Sequence, residues 1–491
     1  MDKKIKKNNF DYIVIGGGMA GLSFSYEMKT KGYSTLILEK DGEVGGLSKT
    51  LQYKNFRFDY CAHRFHSANE EVMKKVKEIM SNNFYLHNQK SRIFMFDKFL
   101  KYPFQLQNFF RAAPIHQSII SAFSFFYSTL KRFFYKKYFF ISYKEWFEYF
   151  FGKKLYELMA KEYTSKIWKI DPAYISADWA NQRFQQVNVL KLVNITLKKI
   201  FKFDFSSYSL KDQALAPDGG QFWYPINGIQ DIPDTYANLI NVEEKEDDCV
   251  CKIYTGAKLE RIDIKNKKVF WKKNNLLEFA FYNKAIISTI PIYSLYESLD
   301  EKNEEVSKSI SDLRYMDIIF VYLMIDKDKI SDDHWLYFSD KNIIFNRAVE
   351  FKNWSKKMSP ENQTSLCLDI TCYRSDKSVN NPWNYSKKDL TERCIDDCVK
   401  IGLLEKKDIS DTLVIKVKDA YPFYDLHYKK RLEFIISFLE KSKDIFCIGR
   451  TGLFSYNNSD GSIEMGINLA KNLSIDQKDS FLDYKFRKNS F

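Results

Sequence analysis

The sequence lacks an uninterrupted apolar run long enough to cross a membrane. Its most apolar segment, Ser118 to Ile141, is broken by Lys131, Arg132, Lys136 and Lys137 before it reaches the roughly 20 apolar residues that a transmembrane helix needs. We therefore expect a buried helix with a basic, exposed end. The same mixture of aromatic and basic residues would also suit a helix that rests on an anionic membrane surface, so peripheral membrane contact stays open.

Cysteine and histidine are scarce, with eight and six residues. Neither Cys249-x-Cys251 nor Cys394-x-x-x-Cys398 has a matching second pair at zinc-finger spacing, so we predict no metal site. We find no signal-peptide pattern, internal repeat, low-complexity linker or nucleic-acid-binding module. We expect reduced thiols, a cytoplasmic location, at most peripheral to the inner face of the membrane, and no nucleic-acid partner.

The chain is instead long and basic. Its formal net charge of +13 favours anionic partners, such as phosphorylated substrates or an acidic membrane surface. At 491 residues it exceeds one typical hydrophobic core, so we expect two or three lobes. The sequence predicts no oligomeric state.

A glycine cluster near the start carries the clearest chemical signal. Gly16, Gly18 and Gly21 form G-x-G-x-x-G between a β-branched run, Tyr12 to Ile15, and a segment with a helical pattern. Missing side chains let the turn tighten and let backbone N–H groups reach a pyrophosphate at the helix N-terminus. A second apolar run ends at Glu39, where an acid would accept hydrogen bonds from a ribose diol.

A second glycine pair, Gly45-Gly46, favours FAD over NAD, because an extended dinucleotide needs another close approach of the backbone. The stretch resembles the extended FAD fingerprint of the superfamily that includes monoamine oxidase, protoporphyrinogen oxidase and UDP-galactopyranose mutase. This resemblance implies one FAD per chain and an α/β fold: a Rossmann-like FAD-binding domain of the glutathione-reductase type with a helical insertion and a mixed-sheet substrate domain. The residues predicted to contact FAD are Gly16, Gly18, Met19, Ala20, Gly21, Glu39, Lys40, Gly45, Gly46, Leu47, His63, Gly449, Arg450, Asp460, Ser462 and Ile463.

The pattern along the chain predicts a discontinuous FAD-binding domain. Its three parts are residues 1–70, 216–295 and 426–491, the last with a closing strand and helix. Residues 71–215 read as a mostly helical insertion that holds substrate specificity, and residues 296–425 as a mixed β-sheet substrate domain.

The stretch Phe58 to Val72 carries His63, Arg64 and His66 within four residues. A metal site is disfavoured because no acid or cysteine stands nearby at ligand spacing. The stretch resembles the histidine loop of UDP-galactopyranose mutases, although Arg64 departs from it and matches protoporphyrinogen-oxidase-like proteins instead. The resemblance implies that His63 and His66 lie beside the flavin. Because imidazole titrates near neutral pH, either could share a proton with the ring or the substrate.

Arg347 opens a second constellation, with Glu350 and Lys352 at strand spacing. Alternating faces mean that the three cannot serve one site, and Arg347 is the best ligand for a diphosphate because a guanidinium can bind it bidentately. The segment resembles the mutase pattern R-x-x-E-x-K, in which the Arg lies near flavin and substrate phosphate. A solvated strand of salt bridges is the alternative.

The C-terminal third resembles the same mutases in a Tyr-Pro pair followed by G-R-x-G-x-x-x-Y-x-x-x-D. The matching positions are Tyr421, Arg450, Tyr456 and Asp460, and Asn458 stands where the mutases often have Asp. The resemblance implies that both tyrosines bind substrate diphosphate and that Arg450 lies by the flavin. A weaker match around Trp168 and Arg183 implies contacts to the base and the phosphates, with core packing equally open for Trp168. The implied catalytic residues are His63, His66, Arg347 and Arg450, and the implied substrate-binding residues are Trp168, Arg183, Arg347, Tyr421, Tyr456 and Asn458.

Two functions follow from this resemblance, and a non-catalytic flavin-binding scaffold is a third interpretation that the sequence leaves open. The first is a nucleotide-sugar pyranose/furanose mutase of surface-polysaccharide synthesis, resembling UDP-galactopyranose mutase, in which reduced flavin N5 is the nucleophile and NAD(P)H is a candidate reductant. The alternative is an FAD-dependent oxidoreductase of the protoporphyrinogen or amine oxidase type, acting on a glycan, a lipid-linked precursor or a tetrapyrrole-like substrate. Arg64 and the unmatched helical insertion favour the second function.

Overall fold

The computed structural model describes residues 8–60, 62–102, 112–135, 137, 139–184, 220–241 and 250–474. The strands are β1 (Asn9–Ile15), β2 (Thr35–Leu38), β3 (Thr50–Tyr53), β4 (Phe56–Asp59), β5 (Phe84–Asn88), β6 (Ser91–Met95), β7 (Lys98–Lys101), β8 (Gln221–Pro225), β9 (Lys252–Tyr254), β10 (Lys258–Asp263), β11 (Lys268–Lys273), β12 (Leu276–Ser288), β13 (Tyr315–Ile325), β14 (Trp335–Phe338), β15 (Arg347–Glu350), β16 (Thr364–Cys372), β17 (Ile409–Pro422) and β18 (Ile445–Cys447).

The α-helices are α1 (Met19–Lys29), α2 (Glu70–Met80), α3 (Ile115–Phe134), α4 (Tyr143–Phe151), α5 (Lys153–Leu155), α6 (Glu162–Trp168), α7 (Ala177–Phe184), α8 (Asp231–Asn241), α9 (Ile292–Ser298), α10 (Glu304–Ser311), α11 (Lys387–Lys400), α12 (Tyr428–Leu439), α13 (Gly449–Gly452) and α14 (Ser459–Ser474). A π-helical stretch, Tyr156–Lys161, joins α5 to α6.

The first sheet has the order β10-β11-β12-β1-β2-β9, with β18 paired to β12. Strand β1 runs parallel to both β2 and β12, and its residues from Tyr12 to Ile15 are buried, as their β-branched sequence predicts. Helices α8 and α14 pack against α1. The predicted Rossmann-like domain is confirmed, and the β-rich segments after residue 250 extend its sheet.

The second sheet has the order β17-β13-β16-β15-β14-β6-β7. It is mixed because β6 runs parallel to β14 while the other neighbours are antiparallel. Strand β13 is buried along its whole length. One of its faces packs with α11, and the other with the ribbon β3–β4 and with Trp354. The prediction of a mixed-sheet domain beside the nucleotide-binding domain is confirmed.

The described part of residues 71–215 contains, besides its helices, strands that the sequence does not predict. Three strands, β5 to β7, lie within residues 84–101, and two of them belong to the second sheet. These strands are four or five residues long, too short for alternation to stand out in the sequence. Strands β5 and β6 pair with β8 and β14, which lie more than a hundred residues away, and β7 pairs with β6.

The apolar segment Ser118 to Ile141 also differs from its prediction. Helix α3 is present, but its large apolar side chains face outward, with Phe123 72% and Phe126 67% exposed. The expectation that this helix is buried is therefore wrong. Within the described part of the chain, no helix has the length and hydropathy to cross a membrane.

Close packing of α14 on α1 generates a stability prediction. A Cβ at Gly466 would lie 2.6 Å from the Ala20 carbonyl oxygen and 2.8 Å from the Phe24 nitrogen, so α14 must move away from α1. Gly466→Ala should lower the free energy of unfolding by about 1–3 kcal/mol, measured by urea denaturation. Gly42→Ala, whose Cβ would have no atom within 4 Å, is the control, and equal stability of the two variants would contradict the packing.

Candidate functional site

Three glycines shape a cradle where β1 turns into α1. A Cβ at Gly16 would lie 2.2 Å from Thr289 Oγ1, and one at Gly21 would lie 2.3 Å from the Gly16 carbonyl oxygen. These two positions therefore require glycine for packing. A Cβ at Gly18 would meet no protein atom closer than Gly46 Cα, at 4.0 Å. The space above Gly18 is open, and it lies at the N-terminus of α1, which has no side-chain cap.

The second glycine pair closes the cradle from the side. The Gly45 N–H donates to the Gly17 carbonyl over 2.8 Å. Gly46 has a positive φ of 60°, and a Cβ there would lie 3.3 Å from Gly18 Cα. Two backbones without side chains thus face each other, as an extended dinucleotide requires.

Glu39 lies at the end of β2 and is buried. Its Oε2 accepts from the Gly17 N–H (2.7 Å) and its Oε1 from the Asp41 N–H (2.9 Å). Burial raises the pKa of Glu39. Each carboxylate oxygen can accept a further hydrogen bond, so the side chain can still bind a diol. Sequence reasoning missed the buried Lys49, whose Nζ lies 2.6 Å from Asp41 Oδ2.

The histidine loop is tied to the N-terminus of α14. Asn69 donates to Glu464 Oε1 over 3.0 Å, and the hydroxyls of Ser48 and Ser459 lie 3.3 Å apart. Burial raises the pKa of Asp460 to about 6, while a hydrogen bond with Ser67 acts against this shift. Three segments distant in sequence therefore meet at the cradle.

The charges of two arginines, Arg450 and Arg347, act on His63. Burial, and next the charges of Arg450 and Arg347, lower its pKa to about 3. The side chain is thus neutral near pH 7, so the prediction that it titrates near neutrality is wrong. Its Nδ1 is buried and has no hydrogen-bond partner in the described ranges.

Arg450 lies directly beside the cradle. Its neighbour Gly449 comes so close to the first turn of α1 that a Cβ there would lie 3.1 Å from the Ala20 Cβ. The guanidinium donates to the Asn457 carbonyl over 2.8 and 2.5 Å, and lies 4.7 Å from the Tyr421 ring centroid. Within the described residues Arg450 makes no ion pair, so its charge meets no carboxylate there.

Tyr421 and Tyr456 stack with ring centroids 5.3 Å apart, although 35 positions separate them in the sequence. The ring centroid of Tyr456 also lies 5.9 Å from that of Trp168. Trp168 is only 1% exposed and packs on Phe423 and Trp179, so it is a core residue that leaves a base little surface. Sequence reasoning missed Trp179, which shows no local signal.

The sequence predicts Arg347 as a phosphate ligand, but in the structure its guanidinium group is paired with a carboxylate. Its Nε and one terminal nitrogen lie 2.9 and 2.8 Å from Asp369 Oδ2 on the neighbouring strand β16. The buried carboxylate compensates much of the guanidinium charge. Glu350 instead accepts backbone N–H groups of Ile330 and Ser331. Lys352 lies in a 3₁₀ turn beyond the strand, in contact with Asp328.

Four further predicted residues include two that are exposed to solvent. Asn458 is exposed, as is Lys40. Burial, and next the charge of Arg64, lowers the pKa of His66. The backbone of Arg183 lies in α7, but its side chain is outside the described residues.

The other predicted FAD residues lie close to the cradle. Met19 and Ala20 are buried in the first turn of α1, and Leu47 follows the glycine pair. Ser462 and Ile463 lie in α14, where the Ile463 carbonyl accepts from Ser23 over 3.3 Å. Across the described ranges, no three His, Cys, Asp or Glu side chains gather into a metal site.

Comparison with known proteins agrees with this cradle. Residues 14–79 match the family described as NAD(P)-binding Rossmann-like domain. The chain is 35% identical over 83 residues to the UDP-galactopyranose mutase of Mycoplasma pneumoniae, covering 16% of this chain and 21% of that protein. It is 32% identical over 100 residues to the flavin-containing amine oxidase of Oncorhynchus mykiss, covering 20% of this chain and 19% of that protein. The chain thus spans about a fifth of the length of these relatives.

Two solved structures share the fold over nearly the whole chain. A crystal structure of reduced UDP-galactopyranose mutase has a TM-score of 0.78 at 20% identity, covering 96% of this chain and 95% of that one. A protein described as a protoporphyrinogen oxidase from Exiguobacterium sp. 255-15 has a TM-score of 0.70 at 13% identity, covering 96% and 99%.

The fold is therefore the one that these two solved structures share, and the cradle is that of a Rossmann-like dinucleotide-binding domain. The predicted resemblance and the predicted fold class are confirmed, and one of the relatives is described as a flavin-containing enzyme.

The open space at Gly18 gives a direct test of the cradle. Gly18→Val should abolish the yellow colour of the purified protein while leaving it folded, because the new side chain fills the place of the pyrophosphate and its Cβ meets no protein atom closer than 4.0 Å. The measurement is flavin absorbance after reconstitution with FAD, with far-UV circular dichroism for folding. Gly42→Val, also in open space, is the control, and a Gly18→Val protein that retains FAD would refute the cradle.

The depressed pKa of His63 predicts a pH dependence of stability. Below pH 6.5, the ordinary pKa of histidine, His63 is protonated in the unfolded chain. In the folded protein it stays unprotonated down to a pH of about 3. The contribution of the neutral His63 to the free energy of unfolding is therefore fully present above pH 6.5 and is lost as the pH falls. In His63→Gln the slope of the unfolding free energy against pH, between about pH 4 and pH 6, should be smaller than in wild type by about 1.4 kcal/mol per unit. The exposed His116→Gln is the control, and parallel curves for His63→Gln and wild type would contradict the prediction.

Proposed function

We propose that this chain is a redox-neutral mutase that interconverts the pyranose and furanose forms of a nucleotide sugar such as UDP-galactose. The observation that carries the proposal is the approach of Arg450 and Arg347 to the neutral His63, beside the stacked Tyr421 and Tyr456. The likeness to UDP-galactopyranose mutases, in sequence over part of the chain and in fold over nearly all of it, supports the proposal.

The chain's own residues fit FAD from one end to the other. The N–H groups at the start of α1 would bind the pyrophosphate, and Glu39 would accept the ribose hydroxyls. The start of α14 and the orphaned Nδ1 of His63 would lie along the rest of the cofactor. When reduced, FAD supplies a nucleophilic nitrogen, N5, for the anomeric carbon. NAD(P)H is the reductant that we propose for it.

The arginines would hold the diphosphate while the sugar is detached from it. A mutase must retain its leaving group, because the same diphosphate is rejoined after the ring has reclosed. Arg450 lacks a carboxylate partner among the described residues, so it can offer charge to a phosphate. Asp369 compensates much of the charge of Arg347. Arg347 would therefore orient the diphosphate by directed hydrogen bonds more than it would add net positive charge.

His63 would contribute as a neutral group. An imidazolium there would add a third positive charge beside two guanidinium groups, and both burial and repulsion oppose this. As a neutral imidazole, His63 can either donate or accept one hydrogen bond through its Nδ1 atom without changing the charge of the site. We propose that it positions the flavin ring, while the arginines stabilise the charge of the substrate.

The second candidate is an FAD-dependent oxidoreductase. The specific observation in its favour is the Arg347–Asp369 ion pair, which leaves the site less positive than the sequence predicts. The likeness to a flavin-containing amine oxidase points the same way. The mutase remains the better account because the uncompensated charge of Arg450 would repel the ammonium form of an amine substrate.

Product mass separates the two candidates. Anaerobic protein reduced with dithionite should convert a UDP-hexose into a product of unchanged mass, resolved by chromatography and mass spectrometry, and oxidised protein should not. The substrate panel holds UDP-hexoses, their N-acetyl forms and UDP-arabinose. A substrate that loses two hydrogens, with oxidised protein only, would overturn the mutase in favour of the oxidoreductase.

The tyrosine hydroxyls give a sharper test of the diphosphate site. Tyr456→Phe and Tyr421→Phe keep the stacked rings and remove one donor each, so each should weaken UDP binding by about 1.5–3 kcal/mol in calorimetry. Tyr85→Phe, on a side chain 48% exposed in β5, is the control. UDP affinities equal to wild type in both site variants would remove the tyrosines from the proposal.

A further inference from the structure

Helix α3 is oriented with its apolar side toward solvent. Six large side chains that recur at three- and four-residue spacing are between 47% and 72% exposed. They form the outer face of α3: Ile119, Phe123, Phe126, Tyr127, Leu130 and Phe134. Soluble helices bury such a stripe, and contiguous exposed apolar surface of this kind marks an interaction site.

The opposite side of α3 carries three buried serines and the partly buried Phe125, and it is anchored to the protein. Ser118, Ser121 and Ser128 are between 0% and 7% exposed. Ser124 accepts from the Lys154 N–H over 3.1 Å, and Arg132 donates to the Phe150 carbonyl over 2.7 Å. The helix cannot simply turn its apolar face inward, because these contacts to α4 and α5 fix its rotation.

Charge identifies the surface that would cover this face. From residue 98 to residue 144 the sequence contains no Asp or Glu and eight Lys or Arg. Lys131 is exposed in the last turn of α3. A second copy of the chain on the same face would bring like charges together, whereas an anionic lipid surface would attract them.

We propose that the outer face of α3 inserts into the interface of an anionic membrane, so that the protein is a peripheral membrane protein. The helix would lie in the plane of the membrane, with aromatic and aliphatic side chains at the acyl boundary and basic residues at the headgroups. A chain of contacts leads from this helix to the proposed site. Helix α3 packs on α4, whose Tyr143 has its ring centroid 5.0 Å from that of Trp179. The Trp179 centroid in turn lies 6.2 Å from the Tyr456 centroid.

Vesicle sedimentation tests the proposal without substrate, so its outcome is independent of the proposed reaction. FAD-loaded wild-type protein should co-sediment with phosphatidylglycerol-containing vesicles, more weakly with pure phosphatidylcholine vesicles and more weakly at high salt. The triple variant F123S/F126S/L130S should bind anionic vesicles roughly tenfold or more weakly, because the inserted apolar area is lost. Lys131→Glu should weaken binding to anionic vesicles selectively.

The variant L276S/L277S is the matched control. These leucines are 67% and 62% exposed at the start of β12, away from α3, and their replacement should leave vesicle binding unchanged. Wild-type protein that stays in the supernatant, or an F123S/F126S/L130S protein that binds like wild type, would overturn the proposal. So would sedimentation equilibrium that shows a wild-type dimer, a monomeric F123S/F126S/L130S variant and no vesicle binding, because a second copy would then be the occupant.

Discussion

The close packing of α1 between β1 and the C-terminal helices is the contact on which the rest of the structure depends. Gly21 lets α1 approach β1, and Gly466 lets α14 approach α1 from the other side. The same approach brings Gly449 against the first turn of α1 and so places Arg450 beside the cradle. Glycine is therefore needed here for two reasons: to leave room for the dinucleotide and to set the distance between segments more than 400 residues apart.

The electrostatics of the site follow from what lies around His63. Two guanidinium groups come close to a buried imidazole, and the imidazole remains neutral. Asp369 then adjusts the balance, because it pairs with Arg347 and leaves Arg450 as the guanidinium without a carboxylate in the described residues. A site with one compensated and one uncompensated arginine can attract a diphosphate and can also release it.

Local requirements made part of this structure predictable from sequence. The cradle could be predicted because each glycine answers a constraint within a few residues, and the strand and helix patterns flank them directly. The predicted glycine fingerprint of a dinucleotide-binding domain and the predicted fold class agree with the comparisons. Arg450, Tyr421 and Tyr456 could be named only through the resemblance, since no local rule brings residues 421 and 456 together.

What escaped prediction depends on tertiary contacts. Asp369 pairs with Arg347 through strand register, which the sequence around Arg347 does not reveal. The pKa of His63 depends on burial and on two distant arginines. For α3, periodicity shows an amphipathic helix but not which side meets the protein, and the contacts of Ser124 and Arg132 decide that.

The central claim is that the cluster around His63 and Arg450 is an anion site at the flavin, and charge selectivity tests it most directly. The measurement is a titration of the FAD-loaded protein with UDP, with uridine and with a diamine such as putrescine, followed by flavin absorbance. The account predicts that UDP perturbs the flavin spectrum, that added salt weakens its binding, and that uridine and the diamine have no effect at the same concentrations. A spectrum that responds to the diamine and not to UDP would contradict it.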